Sequence, residues 1–396
     1  MTDAVYYDQY DRGIRADPYP TWRRMRDEAP LYYNEKYDFY AVTRFDDVKE
    51  VLVNWEIYTS KFGTVLEMID AGIENLPNLI PINYDPPKHT EYRAVLGRAF
   101  SPRRINNLEA EIRALTCEYL DAQVGSGGFE FADVIAKRLP AHVLGMLLGV
   151  PEEDRNYLRE LAEALLHRDE GEEDWNFDAQ KKIAEYLIKH THLRREQPAE
   201  DLTTTVVEAE IKDSETGEQR KLTETEVLGY LSLVIGAGND TTANLLTWIA
   251  HCLAQFPAER QKLHDDPGII RNAVEETLRY QAPSPQQFRV TMRDVELHGK
   301  KVPEGSRILA INGAANRDER VFNEPDVYAV DRKIIQTMTF GQGAHNCLGS
   351  ALSRLEGRVV LEEMLKRFPA WELDLERSEM KHTSTVRGWD KLPIVF

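Results

Sequence analysis

The stretch "VLGYLSLVIGAGNDTTANLLTWIAHCLAQF", residues 227–256, sets the scale of the fold. Thr223 and Glu226 precede it as T-x-x-E, the pattern in which two side chains satisfy each other's free amides at a helix start. Pro257 ends it by removing an amide donor. At about 1.5 Å per residue the helix would run roughly 50 Å, the width of the whole molecule. Its middle is costly. Gly236, Gly238 and the run Asn239, Asp240, Thr241 each cost a helix interior up to about 1 kcal/mol. The stretch is either a polar kink or a site whose function compensates for that cost.

Helical spacing recurs elsewhere. Ser101-Pro102 reads as an N-cap with proline at the first helical position, followed by Ile105, Leu108, Ile112, Leu115 and Leu120. Pro151 opens another helix through Leu158, Leu161 and Leu165. Arg168 to Trp175 reads as a charged break, and Glu208 to Lys221 as a polar connection. Strand signals are few, near Phe39 to Val42 and from Phe288 to Leu309. The expected fold is mainly α, one helical body over residues 1–396 with small β-sheets near residues 30–60 and 288–312.

Charge narrows the partners. With 49 basic against 67 acidic residues the net charge is −18, which disfavours nucleic acid and anionic membrane surfaces. The polar start "MTDAVYYDQYDRG" lacks the pattern of a secretory signal. No apolar run reaches the roughly 18 residues of a membrane span. Three scattered cysteines, Cys117, Cys252 and Cys347, fit a reducing compartment. A cytoplasmic protein is expected.

Cys347 sits in "FGQGAHNCLG", residues 340–349. Gly341 and Gly343 permit positive φ and close approach of the backbone to a flat, bulky group. The apolar repeat Leu352, Leu355, Val359, Leu365 places the cysteine at or just before a helix N-terminus. The amides and dipole there favour a thiolate. One thiolate is too few for zinc or an iron–sulfur cluster, but it suits an axial ligand to haem iron. A buried cysteine in an accidental turn is the plainer reading of G-x-G-x-x-x-C alone.

The full string F-G-x-G-x-H-x-C-x-G resembles the haem signature of the cytochrome P450 family at every fixed position: Phe340, Gly341, Gly343, His345, Cys347 and Gly349. The resemblance runs from about Pro18 to Phe396 and implies the family's triangular helical body with small β-sheets. It also implies haem b (heme b, iron protoporphyrin IX) with an axial thiolate from Cys347. Other motifs fall in the family's order. Glu276 and Arg279 form E-x-x-R, resembling a buried pair that takes a further arginine, here Arg332. Ala237 to Thr241 match A/G-G-x-D/E-T. By resemblance this helix crosses above the haem, Thr241 hydrogen-bonds the oxygen being activated, and Asp240 helps bring in protons. His89 and Arg93 match an H-x-x-x-R that binds haem propionates, and Arg289 and His345 match the other usual propionate contacts.

The implied activity is a haem-thiolate monooxygenase. It would insert one oxygen atom from O2 into a small to mid-sized hydrophobic substrate, by hydroxylation as the default, with dealkylation and epoxidation open to the same oxidant. Substrate contacts are expected from Phe62 to Ile82, parts of Leu148 to Gln180, Leu233 to Thr241, Pro283 to Phe288 and Thr383 to Arg387. Within these, Phe62, Leu66, Met68, Ile69, Leu76, Leu79 and Ile80 suggest an apolar chamber, and Gln286 and Gln287 a polar anchor. Arg98, Arg103, Arg104 and Arg113 suggest a docking patch for an acidic ferredoxin, or else a solvated helix face. Two alternatives stay open: a peroxide-driven haem-thiolate peroxygenase, and a non-catalytic haem-binding sensor. The substrate, the particular ferredoxin and the oligomeric state are not legible.

Overall fold

A computed structural model describes residues 4–75, 81–97, 99–166, 176–213 and 216–396. The long helix spans Glu224–Gln255, and its capping box is complete, with both reciprocal bonds of Thr223 and Glu226 present. The helix continues unbroken through the polar middle. Compensation comes from its two ends. Val227, Tyr230, Leu231, Val234 and Ile235 belong to one apolar cluster. Leu245, Leu246, Ile249, Ala250 and Leu253 belong to another. Each such side chain contributes about 1.5–3 kcal/mol on burial, enough to carry a costly polar centre between two cores.

The helix Ser350–Arg367 follows the cysteine loop and packs through Val359, Val360 and Leu361 into the second of these clusters. The helices Arg138–Leu148 and Glu152–Leu166 start the surrounding layer, the latter opening just after Pro151 as expected. Leu144 packs onto the long helix at Gly238, where an added Cβ would lie 2.9 Å from its side chain. Among the described residues no single helix is long and apolar enough to cross a membrane.

Val295–Leu297 and Lys300–Val302 form a separate hairpin, while strands from both expected β regions join in one five-stranded sheet. Its order is Leu31–Asn34, Phe39–Val42, Arg307–Ala310, Gln287–Thr291 and Tyr58–Thr59. Ile308 pairs with Tyr40 in parallel register, so segments far apart in sequence share one ladder.

Several local expectations change. Ser101 precedes the helix Pro102–Asn107, but its side chain makes no cap bond, and a second helix starts at Glu109. The polar connection 208–221 carries a small hairpin, Glu210–Lys212 with Gln219–Lys221. Only Ile211 in these two three-residue strands is buried, too short an apolar alternation to be read as strands. The charged break at 168–175 lies outside the described residues.

Candidate active site and cofactor cradle

The cysteine loop is closed by its own backbone. Cys347 N donates to Phe340 O at 2.8 Å, and Asn346 Nδ2 donates to Gly341 O at 3.2 Å. Gly341 and Gly343 have φ of 66° and 69°. Their surroundings differ. A Cβ on Gly343 would lie 3.0 Å from Val53 Cα and 3.2 Å from Leu52 O. At Gly341 the nearest atom would be an unstrained 3.7 Å away. The close approach expected of both glycines is therefore, at Gly343, an approach to the backbone of helix Phe45–Val53.

Gly349 caps the helix that starts at Ser350, so Cys347 lies just ahead of the helix end, as the spacing predicts. The residue keeps solvent contact, yet protein surrounds its sulfur closely. Burial pushes the thiol up, against the Gly349 amide, Arg93, Arg354 and the Ser350 amide. The helix-end amides favour the anion, as expected, but without a bound metal desolvation is the larger effect. A bound metal reverses this, since a coordinating thiol is deprotonated outright.

His89, Arg93, Arg289 and His345 come together beside this loop. The His89 and His345 rings lie 4.1 Å apart. Arg93 donates to Asn346 O at 2.5 Å. Arg289 is buried in its strand and donates to Phe288 O at 2.7 Å. Burial, with help from the neighbouring cations, lowers His345 to about 2 and His89 to about 4. Burial lowers Arg289 to about 10. Both imidazoles are thus neutral beside two guanidiniums. Among the described residues neither Arg93 nor Arg289 has a carboxylate salt bridge.

Sequence reasoning missed the residues that hold His345. Ser60 Oγ lies 2.9 Å from His345 Nε2, and the same hydroxyl donates to Asp85 at 3.0 Å. Thr59 also donates to Asp85. Asp85 stands just before Pro86, four residues ahead of His89, and could have been suspected. Ser60 carries no local signal.

On the long helix, Thr241 Oγ1 donates back to Ala237 O at 2.8 Å. Ala237 is exposed, and Leu233 and Thr241 on the same face are partly so. A Cβ on Gly236 would meet nothing within 4 Å. Helix-centre residues with solvent contact mark an internal cleft. Asp240 is buried and ion-paired: Lys381 Nζ lies 2.7 Å from Oδ1. Nothing in the sequence pointed to Lys381.

The Glu–Arg motif closes as the resemblance implies. Arg279 Nε and Nη2 donate to Glu276 at 2.7 and 2.8 Å, with both residues fully buried. Arg332 Nε adds a bond to Glu276 Oε1 at 3.2 Å.

Other expectations fail. Arg113 is not a free docking cation, being bonded to Glu109, Glu362 and Glu363. Arg103 and Arg104 are exposed, while Arg98 lies outside the described residues. Gln286 is occupied by Tyr7, Gln9 and the Ser384 carbonyl, and Gln287 is strand-paired and accepts from Arg289. Leu66 and Phe288 are core residues with Phe39. Leu76, Leu79 and Ile80 lie outside the described residues.

The donor set fits haem. Among the described residues no cluster of three or more His, Cys, Asp or Glu has metal-binding geometry, so the cysteine offers a single sulfur. The two guanidiniums have no carboxylate salt bridge among the described residues; Asp85 is nearby but bonded to Thr59 and Ser60. Beside two neutral imidazole donors, they match a group bearing two carboxylates.

Comparison with known proteins agrees. The sequence profile of the cytochrome P450 family matches residues 173–267 and 268–389. The chain is 36% identical over 391 residues to the putative cytochrome P450 123 of Mycobacterium tuberculosis, covering 98% of this chain and 96% of the relative. It is 31% identical to cytochrome P450 107B1 of Saccharopolyspora erythraea, covering 97% and 96%. Among solved structures, the bacillaene polyketide synthase cytochrome P450 PksS of Bacillus subtilis superimposes with a TM-score of 0.88 at 30% identity, covering 98% and 99%. CYP109E1 of Bacillus megaterium in complex with testosterone gives 0.86 at 28% identity, covering 97% and 99%. The chain belongs to the cytochrome P450 family, whose members hold haem through an axial cysteine thiolate and act as monooxygenases.

Proposed function

We propose that the chain is a ferredoxin-dependent monooxygenase of the cytoplasm, acting on a mid-sized, largely hydrophobic molecule. Haem, held by Cys347, supplies dioxygen binding and activation. One oxygen atom enters a C–H bond of the substrate; the other leaves as water with two electrons and two protons. The single observation that carries the reading is the cradle. An accessible Cys347 lies beside His89, Arg93, Arg289 and His345, four donors fitted to two propionates.

The protein's own groups divide the remaining work. Thr241 presents a hydroxyl on the accessible face of the long helix, where it orients and passes a proton. Asp240, one residue earlier, takes protons from solvent once Lys381 releases it. The Glu276–Arg279–Arg332 cluster is structural and touches no reacting atom. Among the described residues of the basic cluster, exposed Arg103 and Arg104 are the cations left for an acidic ferredoxin. A mid-sized substrate is supported by two structural neighbours, one in complex with testosterone and one with erythromycin B. Hydroxylation is the default reaction.

Peroxide-driven turnover has one observation in its favour: the Lys381 ion pair keeps Asp240 from carrying a proton until it opens. The test is reconstitution with haem, then assay with ferredoxin, its reductase and NAD(P)H, or with peroxide alone. Wild type should show the reduced-carbon-monoxide band of thiolate ligation, and Cys347→Ala should lose it. Product formed mainly with ferredoxin supports the reading. Product formed mainly with peroxide, or none with either, overturns it.

A further inference from the structure

A second cleft lies between the N-terminal segment, residues 7–22, and the C-terminal turn 380–387. It opens to solvent, and its cavity volume is about 60 Å³. Arg12, Arg15, Lys381 and Arg387 line it, and no aspartate or glutamate does. That is unexpected in a chain whose acids outnumber its bases 67 to 49.

The four cations have different duties. Arg387 is buried and spends its donors on Arg15 O at 3.1 Å, Ala16 O at 2.8 Å and Gln281 Oε1. It holds the C-terminal end of the first short helix, Arg12–Ala16, in place. Lys381 is paired with Asp240. Arg15 has only a 3.4 Å contact to Lys381 O and no carboxylate salt bridge among the described residues. Burial and the charges of Arg12 and Arg387 both weigh against its protonation.

Nearby acids are engaged elsewhere. Asp11 accepts from Ile14 N, and Glu67 accepts from Tyr10 and Ser384. Asp17 only offsets part of the repulsion on Arg387. An unused donor also lies in the wall: Gln9, 3% exposed, leans on the Tyr10 phenol but leaves Nε2 without a hydrogen bond of acceptable geometry.

We propose that this cleft binds the carboxylate of an amphipathic substrate, with Arg15 as its principal ligand and Gln9 Nε2 as a second donor. The inference rests on the reading that residues 283–288 and 383–387 face substrate. Pro285 and Gln286, with Thr383 and Ser384, supply much of the same wall. Through Lys381 the cleft adjoins Asp240 on the long helix. An acid seated here would extend its apolar chain toward the cysteine side. Charge-assisted bonds from a partly desolvated arginine would separate an acid from its ester about tenfold.

The test compares dodecanoate, methyl dodecanoate and acetate on the haem-loaded protein, with affinity read by calorimetry and by the Soret shift. The acid should bind about tenfold tighter than the ester. Arg15→Gln should remove that difference and leave ester affinity unchanged, because the main-chain bond to Arg387 survives. Arg15→Lys should restore most of it. Equal affinities in wild type, or a difference that survives Arg15→Gln, overturns the proposal. So does an equal loss for acid and ester, which marks a structural role. Acetate binding with the same dependence on Arg15, without any preference for acid over ester, assigns the cleft to a free anion and also overturns it. The reduced-carbon-monoxide band is recorded on each protein: its presence with equal affinities sinks only this inference. Its absence sinks the monooxygenase reading, while calorimetry still decides the carboxylate site.

Discussion

Lys381 Nζ lies 2.7 Å from Asp240 Oδ1, joining the C-terminal turn to the centre of the long helix across 141 residues of sequence. Their side chains are 9% and 6% exposed, so the pair is desolvated and each partner depends on the other. Lys381→Met leaves a buried carboxylate alone, at a cost of about 3–5 kcal/mol. Asp240→Asn in the same background should recover much of that loss. Chemical denaturation of the two single variants and the double variant checks this. Strictly additive losses would show that the pair contributes no coupling.

Thr241→Ala removes a hydroxyl whose only protein bond among the described residues is to Ala237 O in its own helix. Such back-bonds contribute little to stability, and the loss should stay below about 1 kcal/mol. Haem content should be unchanged, while peroxide released per NAD(P)H consumed rises several-fold. Unchanged coupling would remove the proton role given to Thr241.

Glu356 is buried with Oε2 unpartnered, and burial raises its carboxyl to about 8. The unfolded chain holds this group near 4.5. Between these values the folded protein keeps a proton that the unfolded chain has lost. Stability should therefore fall as pH rises from about 4.5 to 8 and level off above that. Glu356→Gln should flatten this limb of a denaturation-versus-pH curve without changing the acid limb set by other carboxylates.

Gly343→Ala meets two obstacles, φ of 69° and a Cβ 3.0 Å from Val53 Cα. Gly341→Ala meets only the φ of 66°. The first should cost about 1–3 kcal/mol and the second about 1 kcal/mol. Thermal melts of the two variants rank them, and equal shifts would mean the helix carrying Val53 yields freely.

Much of the helical scaffold is legible without coordinates because its signals are short-range. The T-x-x-E pair at 223 and 226 forms the complete capping box it implies. The E-x-x-R pair at 276 and 279 lies on one helical turn. The hairpin at 210–221 was not legible: its strands are three residues each and only Ile211 among them is buried, too short an alternation to stand out from a polar connection.

By itself, the sequence determined what neighbours along the chain can specify: the capped helix with its polar centre, the closed cysteine loop, and the order of motifs that identifies the family. Tertiary packing alone decided who pairs with whom. Arg113 is neutralised by Glu109, Glu362 and Glu363 rather than left for a partner protein. Gln286 is taken by Tyr7 from 279 residues away. Asp240 is held by Lys381. A side chain's spacing fixes the face it occupies, but the charge it meets there depends on which distant segment the cores press against it.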